Sequence, residues 1–287
     1  MADYELGENR YGKSRIRLVT VRRDGDRHLL RDLTVDISLE GDFEAAHVSG
    51  DNAHLVATDT MKNTVYAFAK DRLTGSPEAF GLELARHFAA GSQVSRATIS
   101  LREHAWSRIE VDGAPAPDAF VRSGAGTRTA TVSVAGDRAV VEAGIEDLTV
   151  LKTTRSAFSG FERDRYTTLA DTDDRIMATK ITATWGYGEA ALAGDFDFDA
   201  AHGALTERLL STLAEHESPS VQASIWIMGT AMLDAEPAID WVRMVLPNLH
   251  HWRVDLAPFG LDNPNEIFVS TTEPHGLIDA TVRRRAG

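Results

Sequence analysis

The chain has 287 residues, of which 43% are hydrophobic and 25% charged, with a formal net charge of −13 and no cysteine. These values describe a globular protein of one large domain or two of about 140 residues each. They argue against a nucleic-acid or anionic-membrane partner and exclude a disulfide framework or thiolate metal site. No apolar run approaches the ~20 residues needed to span a bilayer. The opening Met1-Ala2-Asp3-Tyr4-Glu5 lacks the basic and apolar regions of a secretory signal, so a cytoplasmic location is expected. If the ligand is an anion, the average field repels it and attraction must come from a few local cations.

Along the chain, Arg15 to Val21 alternates polar and apolar residues as a half-buried strand does. After a turn at Asp24-Gly25-Asp26, Leu33 to Leu39 keeps the same period. Two helices follow, one over roughly Thr60 to Asp71, the other capped by Ser76 with Pro77 at its first position and ending at Gly91. Strand signals return at Ala97 to Ile109, Thr127 to Val134 and Arg138 to Ala143, with loops at Gly113 to Asp118 and Val121 to Gly126.

The second half repeats this order. Strands at Leu148 to Thr153 and Arg175 to Trp185 precede a helix at about Asp199 to Glu217 with Leu205, Leu209, Leu210 and Leu213 on one face. Ser218-Pro219 then reads as cap and first position of a helix ending near Pro237. Strands resume at Trp241 to Leu246, His251 to Leu256, Glu266 to Ser270 and Leu277 to Arg283. Residues 1–143 and 144–287 thus form two β-β-α-α-β-β halves, an α+β architecture with a helix pair on one face of each antiparallel sheet. Open sheets leave edge strands that pairing between subunits would remove, which predicts an oligomer.

Five clusters carry chemistry. Thr58-Asp59 leads into the first helix, where free N–H groups and the dipole favour an anion, although both residue types are also ordinary helix caps. Ser218 to Gln222 occupies the corresponding entrance in the second half. Tyr11-Gly12-Lys13 precedes the first strand, where an isolated lysine is most simply a surface residue. Phe158 to Phe161 runs toward Arg163 and Arg175, residues that a core and surface ion pairs would also explain. Asn248-Leu249-His250-His251 ends the set; adjacent histidines in a strand face opposite ways and do not chelate one metal. A lysine, threonine, histidine, asparagine, arginine, glutamine and phenylalanine together suit a planar, anionic, hydrogen-bonding heterocycle.

These blocks resemble the urate oxidase family. The resemblance rests on Tyr11-Gly12-Lys13, Asp51 to His54, Ala57 to Tyr66 and Leu148 to Lys152, then on Phe158, Tyr166 to Leu169 and Asp174-Arg175-Ile176. It ends with Ser220 to Ala223, Leu246-Pro247-Asn248 with His250, and Asp262 to Glu266. It implies two tunnelling-fold halves per chain, a homotetramer, and active sites at subunit interfaces. There Lys13, Thr58 and Asp59 of one chain face Phe158, Arg175, Val221, Gln222, Asn248 and His250 of another. The implied reaction oxidises urate with O2 and water to 5-hydroxyisourate and hydrogen peroxide, with neither metal nor organic cofactor.

Residue chemistry agrees with that expectation. Arg175 offers a fork to one ring edge, Gln222 a donor and acceptor to the other, Phe158 a stacking face, and the amides of Asp59 and Val221 a helix-entrance anion site. Lys13, Thr58 and His250 form the expected proton relay, and Asn248 with Thr58 the expected O2 or water site. Burial must lower the lysine, whose reference pKa is ~10.4, for it to act as a base near neutrality. Three departures stand out: Leu249 in place of a lysine, His251 in place of an aromatic, and weak resemblance from Ser92 to Gly126. The terminal Arg285-Ala286-Gly287 carries no peroxisomal address. The alternatives are another tunnelling-fold enzyme acting on pterins or nucleotides, which would call for a metal-binding His set or a catalytic Cys, and a non-catalytic purine-binding protein.

Overall fold

The computed structural model describes residues 4–73 and 75–285; Met1–Asp3 and Ala286–Gly287, read above as chain ends, lie outside them. The chain forms two compact units, Met1–Gly144 with Gly186–Ala200, and Ile145–Trp185 with Ala201–Gly287. No helix among the described residues is long and apolar enough to cross a membrane.

The first unit opens with β1 (Tyr11–Asp24) and β2 (Arg27–Gly41), paired antiparallel, followed by the short α1 (Glu44–Val48), α2 (Thr58–Arg72) and α3 (Pro77–Ala89). Then come β3 (Val94–Glu103), β4 (Trp106–Val111), β5 (Ala114–Arg122), β6 (Thr127–Ala135) and β7 (Arg138–Lys152), whose last residues belong to the second unit. The sheet order is β1-β2-β3-β6-β7. Alternation decides the layers: Leu33, Val35, Ile37 and Leu39 of β2 are buried in the core. α3 lies on β3 and β6 and α2 on β1. Glycine permits the close helix approach, because a Cβ at Gly81 would fall 2.9 Å from the side chains of Leu101 and Val132. Ser76 caps α3 as expected, its side chain accepting from the Ala79 amide at 3.2 Å.

Three sequence expectations change here. The strand predicted from Ala97 to Ile109 is two, β3 and β4, broken at His104-Ala105, and β4 leaves the main sheet to pair with β5. The predicted loop at Gly113 to Asp118 lies mostly in β5, paired with β4 across a turn in which Asp112 and Gly113 have φ of 51° and 79°. An Asp-Gly pair suits such a turn, and Pro115 and Pro117 are tolerated because the hairpin has only edge strands. The predicted strands Arg138 to Ala143 and Leu148 to Thr153 are one, β7; the polar Glu146-Asp147 between them does not end the strand, and Asp147 takes a φ of 60° within it.

Gly186–Ala200 packs into the first unit although it follows β8 (Met177–Tyr187) in sequence. Asp199 accepts from Arg31 and Arg128, each at 2.6 Å. Arg128 also meets Glu78, a fully buried carboxylate, at 2.7 Å, and Arg31 meets Glu103 at 2.7 Å. Such buried charges are retained only with this kind of mutual pairing. Tyr187, Phe196 and Phe198 stack edge to face beside them.

In the second unit the sheet order is β7-β8-β9-β12, with β9 at Ile239–Pro247 and β12 at Leu277–Arg283 paired antiparallel. Between β8 and β9 in sequence lie α4 (Glu189–Leu192), which belongs to the first unit, α5 (Phe198–Glu215) and α6 (Val221–Ala235). The hairpin of β10 (His250–Arg253) and β11 (Phe268–Thr271) precedes β12. α6 rests on β9 and β12, where a Cβ at Gly229 would fall 2.7 Å from Val282. Leu205, Leu209 and Leu213 of α5 are buried, but Leu210 is 37% exposed; one residue along a helix turns it about 100° away from Leu209.

The entrance to α6 also differs from expectation. Ser220, not Ser218, is the cap, accepting from the Ala223 amide at 3.2 Å. Ser218 instead bridges to Ser156 in parallel fashion. α6 is the second helix of its pair, so its counterpart in the first unit is α3, and the Thr58-Asp59 entrance belongs to the first helix of the other pair. Both units keep the β-β-α-α-β-β order, each elaborated by a two-stranded hairpin.

Candidate active site

In the first unit, Lys13, Thr58 and Asp59 are gathered by Tyr11. The Tyr11 hydroxyl accepts from the Val56 amide at 2.7 Å and donates to the Val56 carbonyl at 3.2 Å. Val56 immediately precedes Ala57, the N-cap of α2. One phenol therefore ties the start of β1 to the mouth of α2. Gly12 is required beside it, because a Cβ there would lie 1.8 Å from the Ile37 carbonyl oxygen. Past Lys13 the register with β2 shifts, and Arg15 takes a φ of 60° with its amide on the Asp36 carboxylate at 2.7 Å. This bulge separates the orientation of half-buried Lys13 from the regular strand that follows.

The capping alternative for Thr58 and Asp59 is not what the helix adopts. Ala57 is the cap and has no side-chain acceptor, so Thr58 and Asp59 are the first two helical residues. The amides at this helix mouth receive no side-chain cap and remain available to an anion. The exposed Asp59 carboxylate accepts from Lys62 and from Asn63 Nδ2 at 2.9 Å. Its pKa is held below the usual carboxylate value chiefly by Lys62, with smaller help from Asn63 and Lys13.

The second unit supplies the other residues. Phe158 is fixed by reciprocal backbone bonds with Thr172 at 2.8 and 3.0 Å and stacks on Phe161 at 4.9 Å. The Arg175 guanidinium lies over the Phe158 ring at 5.3 Å, and the Arg175 amide donates to Ser156 O at 2.8 Å. The adjacent Asp174 turns instead to Thr154 at 2.8 Å. Arg175 Nε is buried without a hydrogen-bond partner, and burial holds the guanidinium below the usual arginine value. His250 stacks on Trp252 at 5.1 Å, and burial, then Arg175 and His275, depress its pKa.

Val221 and Gln222 are the first two residues of α6, Val221 buried and Gln222 exposed. Asn248 is half-buried, its amide on the Gly276 carbonyl at 2.7 Å, bridging to Thr179. Leu249 donates its amide to Ala178 O at 2.8 Å, a backbone role that any side chain permits. His251 projects from the strand face opposite His250 and bonds the Leu249 carbonyl at 3.0 Å. With Arg175 and Arg253 it lines a cavity of about 340 Å³ that Phe158, Gln222, Asn248 and His250 do not line. Among the described residues, no three of His, Cys, Asp and Glu group as metal ligands do.

The uricase family model matches residues 9–133 and 141–279. The chain belongs to the uricase family. It is 47% identical to a uricase from Arthrobacter globiformis over 280 residues, 97% of this chain and 90% of that one. It is 36% identical to the uricase of Aspergillus flavus over 288 residues, covering 96% and 95% of the two chains. A crystal structure of the Arthrobacter globiformis uricase superposes with a TM-score of 0.93 at 46% identity, covering all of this chain and 97% of the other. The two β-β-α-α-β-β units are therefore tandem tunnelling-fold halves, and the weakly resembling stretch from Ser92 to Gly126 lies inside the family match.

Sequence reasoning missed the bracing residues. Tyr11 was visible as part of a motif, but its partner is a backbone group 45 residues away. Lys152, His216 and Ser224, described below, carry no local spacing that would announce them.

Proposed function

We propose that the protein is a urate oxidase, converting urate, O2 and water to 5-hydroxyisourate and hydrogen peroxide without metal or organic cofactor. The observation that carries the reading is Arg175: a half-buried guanidinium whose Nε is shut off from solvent without a hydrogen-bond partner, set over an aromatic face and beside a histidine whose pKa is depressed. A partly buried cation with an unsatisfied N–H is costly unless a ligand supplies an acceptor. A planar urate anion does so, accepting the Arg175 fork at one edge while Phe158 stacks beneath and Gln222 binds the opposite edge. Each hydrogen bond to a charged group contributes about 1.5–3 kcal/mol, enough to outweigh a diffuse negative field that salt screens.

The amides of Asp59 and Val221, both in first helical turns, are assigned to ring heteroatoms. Lys13 activates the Thr58 hydroxyl to remove a further urate proton, and His250 completes the relay. Thr58 and Asn248 hold O2 or water above the ring. Two electrons leave the ring for O2, which takes two protons to become hydrogen peroxide, and the oxygen of water is added to the oxidised ring. We assign the protein to a homotetramer in which Lys13, Thr58 and Asp59 of one protomer complete a site with the second-unit residues of another. β1 and β12 lie at the edges of their units' sheets, which supports pairing between chains.

The test is urate oxidation in EDTA, followed by loss of the urate ultraviolet band, O2 uptake and peroxide release in equal amounts. Turnover that survives the chelator supports the reading, and turnover abolished by it removes the cofactor-free mechanism. Urate binding with no turnover would favour the purine-binding alternative. Light scattering that gives a monomer would remove the shared site.

A further inference from the structure

The turn between α5 and α6 contains a buried polar chain that the proposed relay does not use. His216 Nδ1 lies 2.7 Å from the Thr212 carbonyl. A carbonyl only accepts, so Nδ1 carries the proton, and Nε2 is left as an acceptor. Nε2 is 2.8 Å from the Ser224 hydroxyl, which therefore donates to it. Ser224 Oγ in turn lies 2.8 Å from Ser218 Oγ, and neither serine is exposed beyond 2%. The hydrogen bonds run in one direction, from Ser218 through Ser224 to His216 and then to the last turn of α5. Lys152, itself buried, donates to the His216 carbonyl, and Arg155 donates to Ala214 O and Glu215 O. Two cations thus close the carbonyl end of α5.

The chain ends where the candidate site begins. Ser224 is one turn into α6, whose first residues are Val221 and Gln222. A bond from the second turn of a helix to a fixed ring sets the rotation of that helix about its axis, and so the direction in which the first turn points. Ser218 is bonded on its other side by backbone: its amide donates to Arg155 O at 2.9 Å and its carbonyl accepts from Ala157 at 2.7 Å. Ala157 adjoins Phe158, and Ser156 accepts the Arg175 amide. His216 therefore anchors both the α6 entrance and the segment bearing the stacking ring and the guanidinium.

We propose that His216, acting through Ser224 and Ser218, is a positioning residue that orients the Val221–Gln222 entrance of α6 toward the substrate. The proposal rests on the urate oxidase reading given above. Ring and hydroxyls touch neither substrate nor O2 in this assignment, so they govern how well the substrate is held rather than how fast it reacts.

The decisive variant is Ser224→Ala, which removes one buried oxygen and adds no volume. It is expected to raise KM for urate about tenfold with kcat within about twofold, the signature of weakened binding of substrate and transition state alike. Ser218→Ala, one bond further from the ring, is expected to raise KM about threefold on the same grounds and serves if the first variant fails to fold. Leu209→Val, buried in α5 but outside the hydrogen-bonded chain, lowers stability and should leave KM unchanged. Unchanged KM in both serine variants, with only the unfolding midpoint lowered, would overturn the proposal, as would a loss confined to kcat. Wild-type protein that binds urate without turnover sinks the oxidase reading alone, and the same KM effect is then read as a loss of urate affinity in equilibrium dialysis. Wild-type protein that does not bind urate sinks both.

Discussion

The Tyr11 hydroxyl holds both backbone groups of Val56, accepting from the amide at 2.7 Å and donating to the carbonyl at 3.2 Å. A single side chain from the strand that carries Lys13 thus fixes the residue just before the helix that carries Thr58. Tyr11→Phe keeps the ring contact with Phe43, 4.7 Å away and edge-on, but leaves the amide and carbonyl of Val56 without these partners. The expected cost is about 1 kcal/mol of stability for a half-buried pair, with turnover reduced further because Lys13 and Thr58 lose their common brace. Urea unfolding and urate turnover on the same preparation would check it, and turnover unchanged at reduced stability would contradict the bracing role.

Gly12→Ala should act at the same place by sterics. The new Cβ would stand 1.8 Å from the Ile37 carbonyl oxygen, a backbone atom that cannot rotate aside. Separation of β1 from β2 at Lys13 is expected, at a cost of about 3 kcal/mol, the upper end for overpacking. A shift of the urea midpoint by less than a third of that would show that the strand accommodates the methyl by sliding.

Arg175→Met is expected to divide binding from stability. Removing a half-buried guanidinium whose Nε is shut off from solvent without a partner relieves a desolvation cost, so the unfolding midpoint should hold or rise. Urate affinity should fall about 10²-fold or more, since two charge-assisted hydrogen bonds are lost. A clear drop in stability would mean that the guanidinium serves the fold.

The pH dependence just below about 6.5 draws on three histidines. Burial depresses His104, His216 and His250 below the usual histidine value of about 6.5. Below that pH the unfolded chain takes up protons that the folded chain refuses, so stability falls as pH drops from about 6.5 toward the folded pKa values, and is fully present above about 6.5. The His216→Gln variant should show a shallower fall between about pH 6.5 and pH 5.5 than wild type. Equal slopes in thermal melts across that window would remove His216 as a source.

Much of the fold was legible because alternation in β2 and β12 and the Ser76-Pro77 helix start are local signals. The failures were also local signals, outvoted by contacts. Ser218-Pro219 has the form of a helix start, yet Ser218 is held in a bridge to Ser156, and the helix waits for Ser220. Thr58-Asp59 has the form of a cap, yet the Tyr11–Val56 clamp sets the chain direction earlier and leaves alanine at the cap position. The candidate site residues were readable as a set of chemistries. What the sequence could not express was that the Arg175 Nε lacks a hydrogen-bond partner while the adjacent Asp174 carboxylate turns toward Thr154.

The Asp199 clasp bears on how such a duplicated protein can be taken apart. Asp199 follows the second copy's opening strands in the chain but answers Arg31 and Arg128, residues of the first. A gene fragment ending before β8 would release two guanidiniums from their shared carboxylate and leave Arg128 to Glu78 and Glu103. A single cut between the two copies therefore parts residues 186–200 from the unit they complete. Recombination among relatives should preserve residues 186–200 together with the first copy, whatever becomes of the helices that follow.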